Sequence, residues 1–172
     1  QFGTHAPGLR ELEAWVQPAL TDTSRGPVPE QLIYICALPL YHVFALTVNC
    51  LGGIRLGTLN VLITNPRDLP GLVKELGQWK WTIMTGVNTL FNGLLNTAGF
   101  ERLDFSSLKA VIGGGAAVQK TVAERWQQVT GCSITEGYGL TEAAPVACAN
   151  PIGTPWNGTI GIPYPSTELT IR

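Results

Sequence analysis

Charge is what this chain has least of. Only 13% of its 172 residues are Asp, Glu, Lys or Arg, 11 basic against 12 acidic, for a formal net charge of −1. An average domain carries roughly 25%. With 45% apolar residues beside so few charges, the chain reads as one buried on several sides, as a central slice of a larger protein would be. It has no basic run, so nucleic-acid binding lacks electrostatic support. Its four cysteines (Cys36, Cys50, Cys132, Cys148) show no CxxC or other metal-type spacing. Cys36 and Cys50 sit in apolar runs, where a free thiol behaves as a small hydrophobe. Reduced thiols imply a cytoplasmic protein. No signal peptide or polybasic targeting run is visible. The apolar stretch Leu32–Leu51 is about long enough to cross a membrane. Pro39, His42 and Asn49 interrupt it, which favours a buried strand, a turn and a buried helix. Internal repeats and low-complexity segments are missing too.

What is present is a rhythm. Gln1–Gly8 has no usable pattern. Leu9, Leu12, Trp15, Val16, Ala19 and Leu20 recur at helical spacing, and Thr21–Glu30 reads as a surface loop. Short apolar runs then alternate with helical patterns. Strands are expected at Leu32–Leu38, Asn60–Thr64, Trp81–Thr85, Lys109–Ile112 and Ser133–Glu136. Helices are expected at Tyr41–Leu56, Leu69–Trp79, Val87–Ala98 and Val118–Thr130. Asp68 is placed to cap the second of these, with Pro70 in its first turn, and Gly131 to stop the last. After Pro145 the chain reads as irregular, and Glu168–Ile171 alternates like the start of a new strand. Such alternation predicts an α/β fold, a mostly parallel sheet with helices on both faces. Residues 1–30 form an N-terminal helix and loop of uncertain packing, and residues 31–172 a partial nucleotide-binding α/β domain.

Ligands of parallel sheets bind beyond the carboxyl ends of the strands. Three stretches fall there: Pro39–His42, Gly113–Gly115 and Gly137–Glu142. In the last, Tyr138 offers a flat face for stacking, and Gly137 and Gly139 allow close backbone approach. Thr141 offers a hydroxyl and Glu142 a hard anionic oxygen, a set that suits a magnesium ion carrying phosphates. The same letters also describe a strand end, a glycine turn and an exposed Thr-Glu pair. Gly113-Gly114-Gly115 is either bare backbone for a flat base or an ordinary turn needing positive φ. It does not fit the GxGxxG fingerprint. His42 beside apolar residues reads as readily as packing as it does as a functional group. The apolar helices after His42 and after Val87 are either core or the wall of a channel.

Tyr138-Gly139-Leu140-Thr141-Glu142 resembles the Tyr-Gly-x-Thr-Glu signature of the AMP-forming adenylating enzymes. Pro39-Leu40-Tyr41-His42-Val43-Phe44-Ala45-Leu46 resembles an upstream motif of that family. Asn65-Pro66-Arg67-Asp68, Gly86–Phe91, Gly113–Gln119 and Gly161–Glu168 are similar to the bacterial long-chain fatty acid–CoA ligases in particular. The resemblance runs from about Gln31 to Arg172.

It implies a two-step reaction. A fatty acid carboxylate attacks the α-phosphate of ATP to give an acyl-adenylate, and coenzyme A then displaces AMP. It implies Glu142 as the Mg2+ ligand, Thr141 on phosphate or on the metal through water, and Tyr138 stacked on adenine beside Gly137 and Gly139. His42 takes a positioning role where the acyl chain and the coenzyme A arm meet. Small-molecule substrates and no nucleic acid follow, in a cytoplasmic parent protein with scope for peripheral contact with the inner face of the membrane. The family's Ser/Thr/Gly-rich phosphate loop has no counterpart in Gln1–Glu30, and the ribose-binding aspartate and the lysine of the C-terminal domain would fall beyond Arg172. The expectation is thus a ligase fragment that does not adenylate alone. A ligase for another carboxylic acid and a non-catalytic nucleotide-binding α/β module are the alternatives.

Overall fold

The computed structural model describes residues 9–170. Seven strands form one sheet: β1 (Ile33–Cys36), β2 (Leu59–Leu62), β3 (Ile83–Gly86), β4 (Ala110–Gly113), β5 (Ile134–Gly139), β6 (Val146–Ala149) and β7 (Ile162–Pro163). Their order is β2-β1-β3-β4-β5-β6-β7. The first five are parallel, because a helix returns the chain to the same edge between each pair. The apolar runs of the inner strands are continuous because both faces are covered, whereas the edge strand β2 leaves Leu59 and Leu62 exposed. Ile35, Met84, Val111 and Ile134 pack with one cluster, and their neighbours Tyr34, Ile83, Ala110 and Ile112 with the other.

The first face is covered by α3 (Leu69–Leu76), α4 (Asn88–Leu95) and α5 (Lys120–Thr130). Phe91, Phe100 and Trp126 interlock there, with ring centroids 4.9 and 5.2 Å from that of Trp126. The second face is covered by α1 (Leu9–Thr21) and by the helix after β1. α1 docks through Leu12, Val16 and Leu20, all buried. The expected helices on both faces are therefore present. Asp68 caps α3 as its position predicts, its Oδ1 accepting the Gly71 N–H at 3.0 Å.

The helix expected over Tyr41–Leu56 differs in kind. Tyr41 and His42 lie in a turn, Val43 and Phe44 begin α-helical, Ala45–Leu51 is a π-helical stretch, and Gly52–Leu56 (α2) is α-helical again. Apolar content predicts a buried helix but not its winding. A side chain on Gly52 would strike Leu12 of α1, so the glycine admits the close approach of the two elements.

The segment expected to be irregular after Pro145 is so only in part: β6 pairs antiparallel with the second half of β5, and β7 with β6, while residues 150–161 between them carry no helix or strand. Val146-Ala147-Cys148-Ala149 has no polar alternation to betray a strand. Its pairing comes from the reversal at Leu140–Pro145, where the Leu140 N–H donates to the Pro145 carbonyl at 3.0 Å. The strand expected at Glu168–Ile171 does not form over residues 168–170, and Ile171 lies outside the described residues. The Thr167 N–H instead closes a turn onto the Tyr164 carbonyl at 3.0 Å, with Ser166 left-handed at φ 62°.

At the amino edge of the sheet, Lys109 is buried before β4. Its Nζ donates to the carbonyls of Asp22, Gly26 and Arg25 at 2.7, 2.8 and 3.1 Å. The Arg25 guanidinium in turn donates to the carbonyls of Leu108 and Gly131. The loop after α1 is thus pinned to the sheet by two cations acting on carbonyls rather than carboxylates.

All four cysteines are free. Burial pushes the Cys36, Cys132 and Cys148 thiols up, which lowers their thiolate fraction. Cys50 alone is half-exposed. Iodoacetamide at about pH 8 is expected to alkylate Cys50 at least about tenfold faster than the other three. Peptide mass mapping of a time course checks this.

Candidate functional site

β4 ends on Gly113, and the next two residues are also glycines for different reasons. A side chain on Gly113 would run into Ile134 at 2.8 Å and Val118 at 2.9 Å. One on Gly114 would press on the Phe44 ring at 3.2 Å. Gly115 is left-handed, at φ 75°. Positive φ therefore explains one glycine of the three. The other two let the turn pack closely over β5 and the helix after β1, and leave the backbone bare.

β5 continues past the end of the parallel ladder. Its register with β6 shifts between Tyr138 and Gly139, a bulge that re-aims the side chains beside it. Tyr138 is 47% exposed. Thr141–Ala143 forms a single 3-10 turn that presents the Thr141 hydroxyl and the Glu142 carboxylate to solvent. From β1, the chain turns at Pro39–His42, where the His42 N–H donates to the Pro39 carbonyl at 2.9 Å. His42 is exposed, and its Nδ1 accepts the Phe44 N–H at 3.2 Å.

These turns meet. His42, Gly113, Gly114, Gly115, Gly137, Tyr138, Gly139, Thr141 and Glu142 all line one cavity of about 320 Å³. Every residue given a site role from the sequence is on its wall, while Pro39, Leu40 and Tyr41 of the turn before His42 are not. The inner wall is apolar and comes from Val43, Phe44, Val48 and Ile112. A second cavity of about 590 Å³ shares His42, Phe44 and Gly115 with the first and runs between Leu38, Arg67, Val87 and Leu90. A third, of about 270 Å³, shares Gly115 and Gly137–Gly139 with the first and lies between Gly115–Ala117 and Glu136–Gly139. Of the apolar residues in the segments after His42 and Val87, Val43, Phe44, Val48, Val87 and Leu90 line one or other of the first two cavities, while Leu46 is exposed and Phe91, Leu94 and Leu95 are buried in the core.

Sequence reasoning missed Leu12, Trp15 and Glu136 as contributors. Leu12 and Trp15 of α1 line the first cavity, and Trp15 is braced edge-on by Tyr164, 5.7 Å between ring centroids. Helical spacing marked them as core, but nothing local says that α1 borders a site. Glu136 was read only as a strand end. It is buried at the base of the motif and lines the third cavity.

Among the described residues no three His, Cys, Asp or Glu side chains converge as a metal cage. Glu142 is exposed and enters no ion pair among those residues. One free carboxylate beside a hydroxyl fits Mg2+, which keeps its waters and binds through one or two carboxylates plus substrate phosphates. It would not fit a metal that needs an all-protein shell.

A parallel sheet whose carboxyl edge carries bare glycine turns, an exposed aromatic ring and a free hydroxyl–carboxylate pair around one cavity is an α/β ligand-binding domain of the kind that takes nucleotides. The comparisons agree. The sequence profile of the AMP-binding enzyme family matches residues 4–172, and the chain belongs to that family. It is 58% identical over 171 residues to a long-chain-fatty-acid–CoA ligase of Salmonella typhimurium, covering 98% of this chain and 29% of that protein. It is 53% identical over 171 residues to a ligase of the same name from Escherichia coli O157:H7, with the same coverage. The chain thus spans under a third of the length of these relatives. A benzoate CoA ligase from Burkholderia xenovorans shares the fold, with a TM-score of 0.72 over 88% of this chain and 32% of that one, at 20% identity. Among the described residues no helix is long and apolar enough to cross a membrane.

Proposed function

We propose that this chain is the nucleotide- and acyl-binding portion of a long-chain fatty acid–CoA ligase. The observation that carries the proposal is the convergence of nine site residues from three separate turns on one cavity, together with the identity to ligases of that class. Adenine would enter beside Gly113–Gly115 and stack on Tyr138, with Gly137 and Gly139 leaving room for it. Thr141 and Glu142 would face the phosphates. Mg2+, held by Glu142 and by water, would offset the phosphate charge as the fatty acid carboxylate approaches. Val43, Phe44 and Val48, with Leu12 and Trp15, would take the acyl chain. The second cavity would admit the thiol arm of coenzyme A, with His42 at the junction as a positioning group.

In this scheme a carboxylate oxygen bonds to the α-phosphorus of ATP as the bond to pyrophosphate breaks. The coenzyme A sulfur then bonds to the acyl carbon as AMP leaves. The chain's own part is to hold two anions together in one slot lined by fixed donors.

Titration calorimetry tests the assignment. The chain is expected to bind AMP, and Tyr138→Ala to weaken that binding about tenfold or more, since stacking a base on an aromatic ring is worth ~1–3 kcal/mol. Glu142→Gln should leave AMP affinity within about twofold but remove the gain that Mg2+ gives to ATP binding. A wild-type chain that ignores AMP, or a Tyr138→Ala variant that binds it normally, overturns the assignment.

A further inference from the structure

Glu136 is the last residue of the parallel half of β5, and only 7% of its surface is exposed. It enters no ion pair among the described residues. Its carboxylate is instead occupied at both ends by neutral donors. Oε1 accepts the Val118 N–H at 3.0 Å, and Oε2 accepts the indole N–H of Trp156 at 3.3 Å. Its main-chain carbonyl accepts both the N–H and the Nδ2 of Asn150 at 3.1 Å. Val118 ends the turn that Gly113 begins. Asn150 and Trp156 belong to the excursion between β6 and β7. One residue therefore joins three segments around the third cavity.

We infer that Glu136 is a positioning residue whose two-ended carboxylate sets the gap between the glycine turn after β4 and the Tyr138 segment, and so the width of the slot a flat base must enter. The inference rests on the nucleotide reading above. Its chemical basis is the inventory of the side chain. A carboxylate offers acceptors at both ends and no donor, whereas glutamine has the same shape but presents NH2 at one end. In Glu136→Gln that NH2 must face either the Val118 N–H or the Trp156 N–H. One of the two ties is lost, and a buried donor loses its partner.

The test uses four proteins: wild type, Glu136→Gln, Trp156→Phe and the double variant. Hydrogen exchange at the Val118 amide and the Trp156 indole reads the ties, and AMP titration reads the slot. Glu136→Gln is expected to speed exchange about tenfold at whichever of the Val118 amide and the Trp156 indole faces the NH2, and to weaken AMP binding about tenfold. Trp156→Phe removes the donor that opposes the glutamine NH2. The double variant can then turn its amide oxygen to Val118, and should return both readouts to within about threefold of Trp156→Phe alone. A role confined to stability would not produce that rescue. The inference is overturned if neither the Val118 amide nor the Trp156 indole exchanges faster in Glu136→Gln, if AMP binding is unmoved there, or if the double variant is no better than the single one. If the wild-type chain binds no AMP, the nucleotide reading falls and the slot with it, while exchange at the two donors still decides whether the ties exist.

Discussion

Gly139→Ala is expected to abolish AMP binding and to destabilise the chain by about 3–4 kcal/mol, at the upper end of the cost of overpacking. The added methyl would fall on the carbonyl of Pro145. That oxygen is main chain and cannot step aside as a side-chain tip could. It also accepts the Leu140 N–H at 3.0 Å, so moving it gives up a hydrogen bond worth roughly 1 kcal/mol. The bulge between Tyr138 and Gly139 would have to open. Tyr138, Thr141 and Glu142 would then leave the cavity wall together. A loss of this size lowers Tm by about 6–16 °C in a domain of 150–250 residues. Gly153→Ala is the contrast. Gly153 is left-handed at φ 86° with open space around it, so alanine there costs only the backbone strain, about 1–2 kcal/mol. A Gly139→Ala variant that melts no lower than Gly153→Ala and still binds AMP would refute the account.

Lys109→Met is expected to cost on the order of 3 kcal/mol and to leave AMP binding unchanged. Two large terms oppose each other. Removing the ammonium relieves the desolvation of a buried charge. It also strands three carbonyls of the loop after α1, each of which accepts from Nζ, at roughly 1–3 kcal/mol for each acceptor left without a partner. Three acceptors outweigh one desolvated cation, so the sign is destabilising. The partners are dipoles and the ammonium is buried, so screening by salt should be slight. The difference in unfolding free energy between wild type and variant should therefore hold within about 0.5 kcal/mol between low and about 0.5 M NaCl. Lys109 stands at the amino edge of the sheet and the cavity at its carboxyl edge, which is why nucleotide affinity should not move. A variant as stable as wild type, or one whose deficit vanishes in salt, would show that the carbonyl contacts do not hold the loop.

The legible parts were those where local and global demands coincide. Strands buried on both faces write themselves as unbroken apolar runs, and the five parallel strands overlap the runs that announced them. Asp68 and Gly131 marked the start of α3 and the end of α5 because capping is a matter of a few neighbouring atoms. The candidate site was legible because parallel topology sends every strand's carboxyl end to one edge. The hidden parts depend on distant partners. β6 has no period of its own and exists because the chain folds back onto β5. Trp15 borders the cavity only because α1 docks across β4 and the helix after β1. Glu136 looks like a strand end until Val118 and Trp156 arrive at its two oxygens.

From the sequence alone came the alternation of strands and helices, the parallel sheet, and the residues gathered at its carboxyl edge. Periodicity and turn chemistry are properties of neighbours along the chain, so they are already present in the letters. Tertiary structure alone decided the winding of the helix after His42, the antiparallel return of β6, and the separation of the site into three cavities, of which the first and third meet at Tyr138. Those outcomes turn on which groups from remote segments come within contact distance, and that is settled only when the whole chain packs.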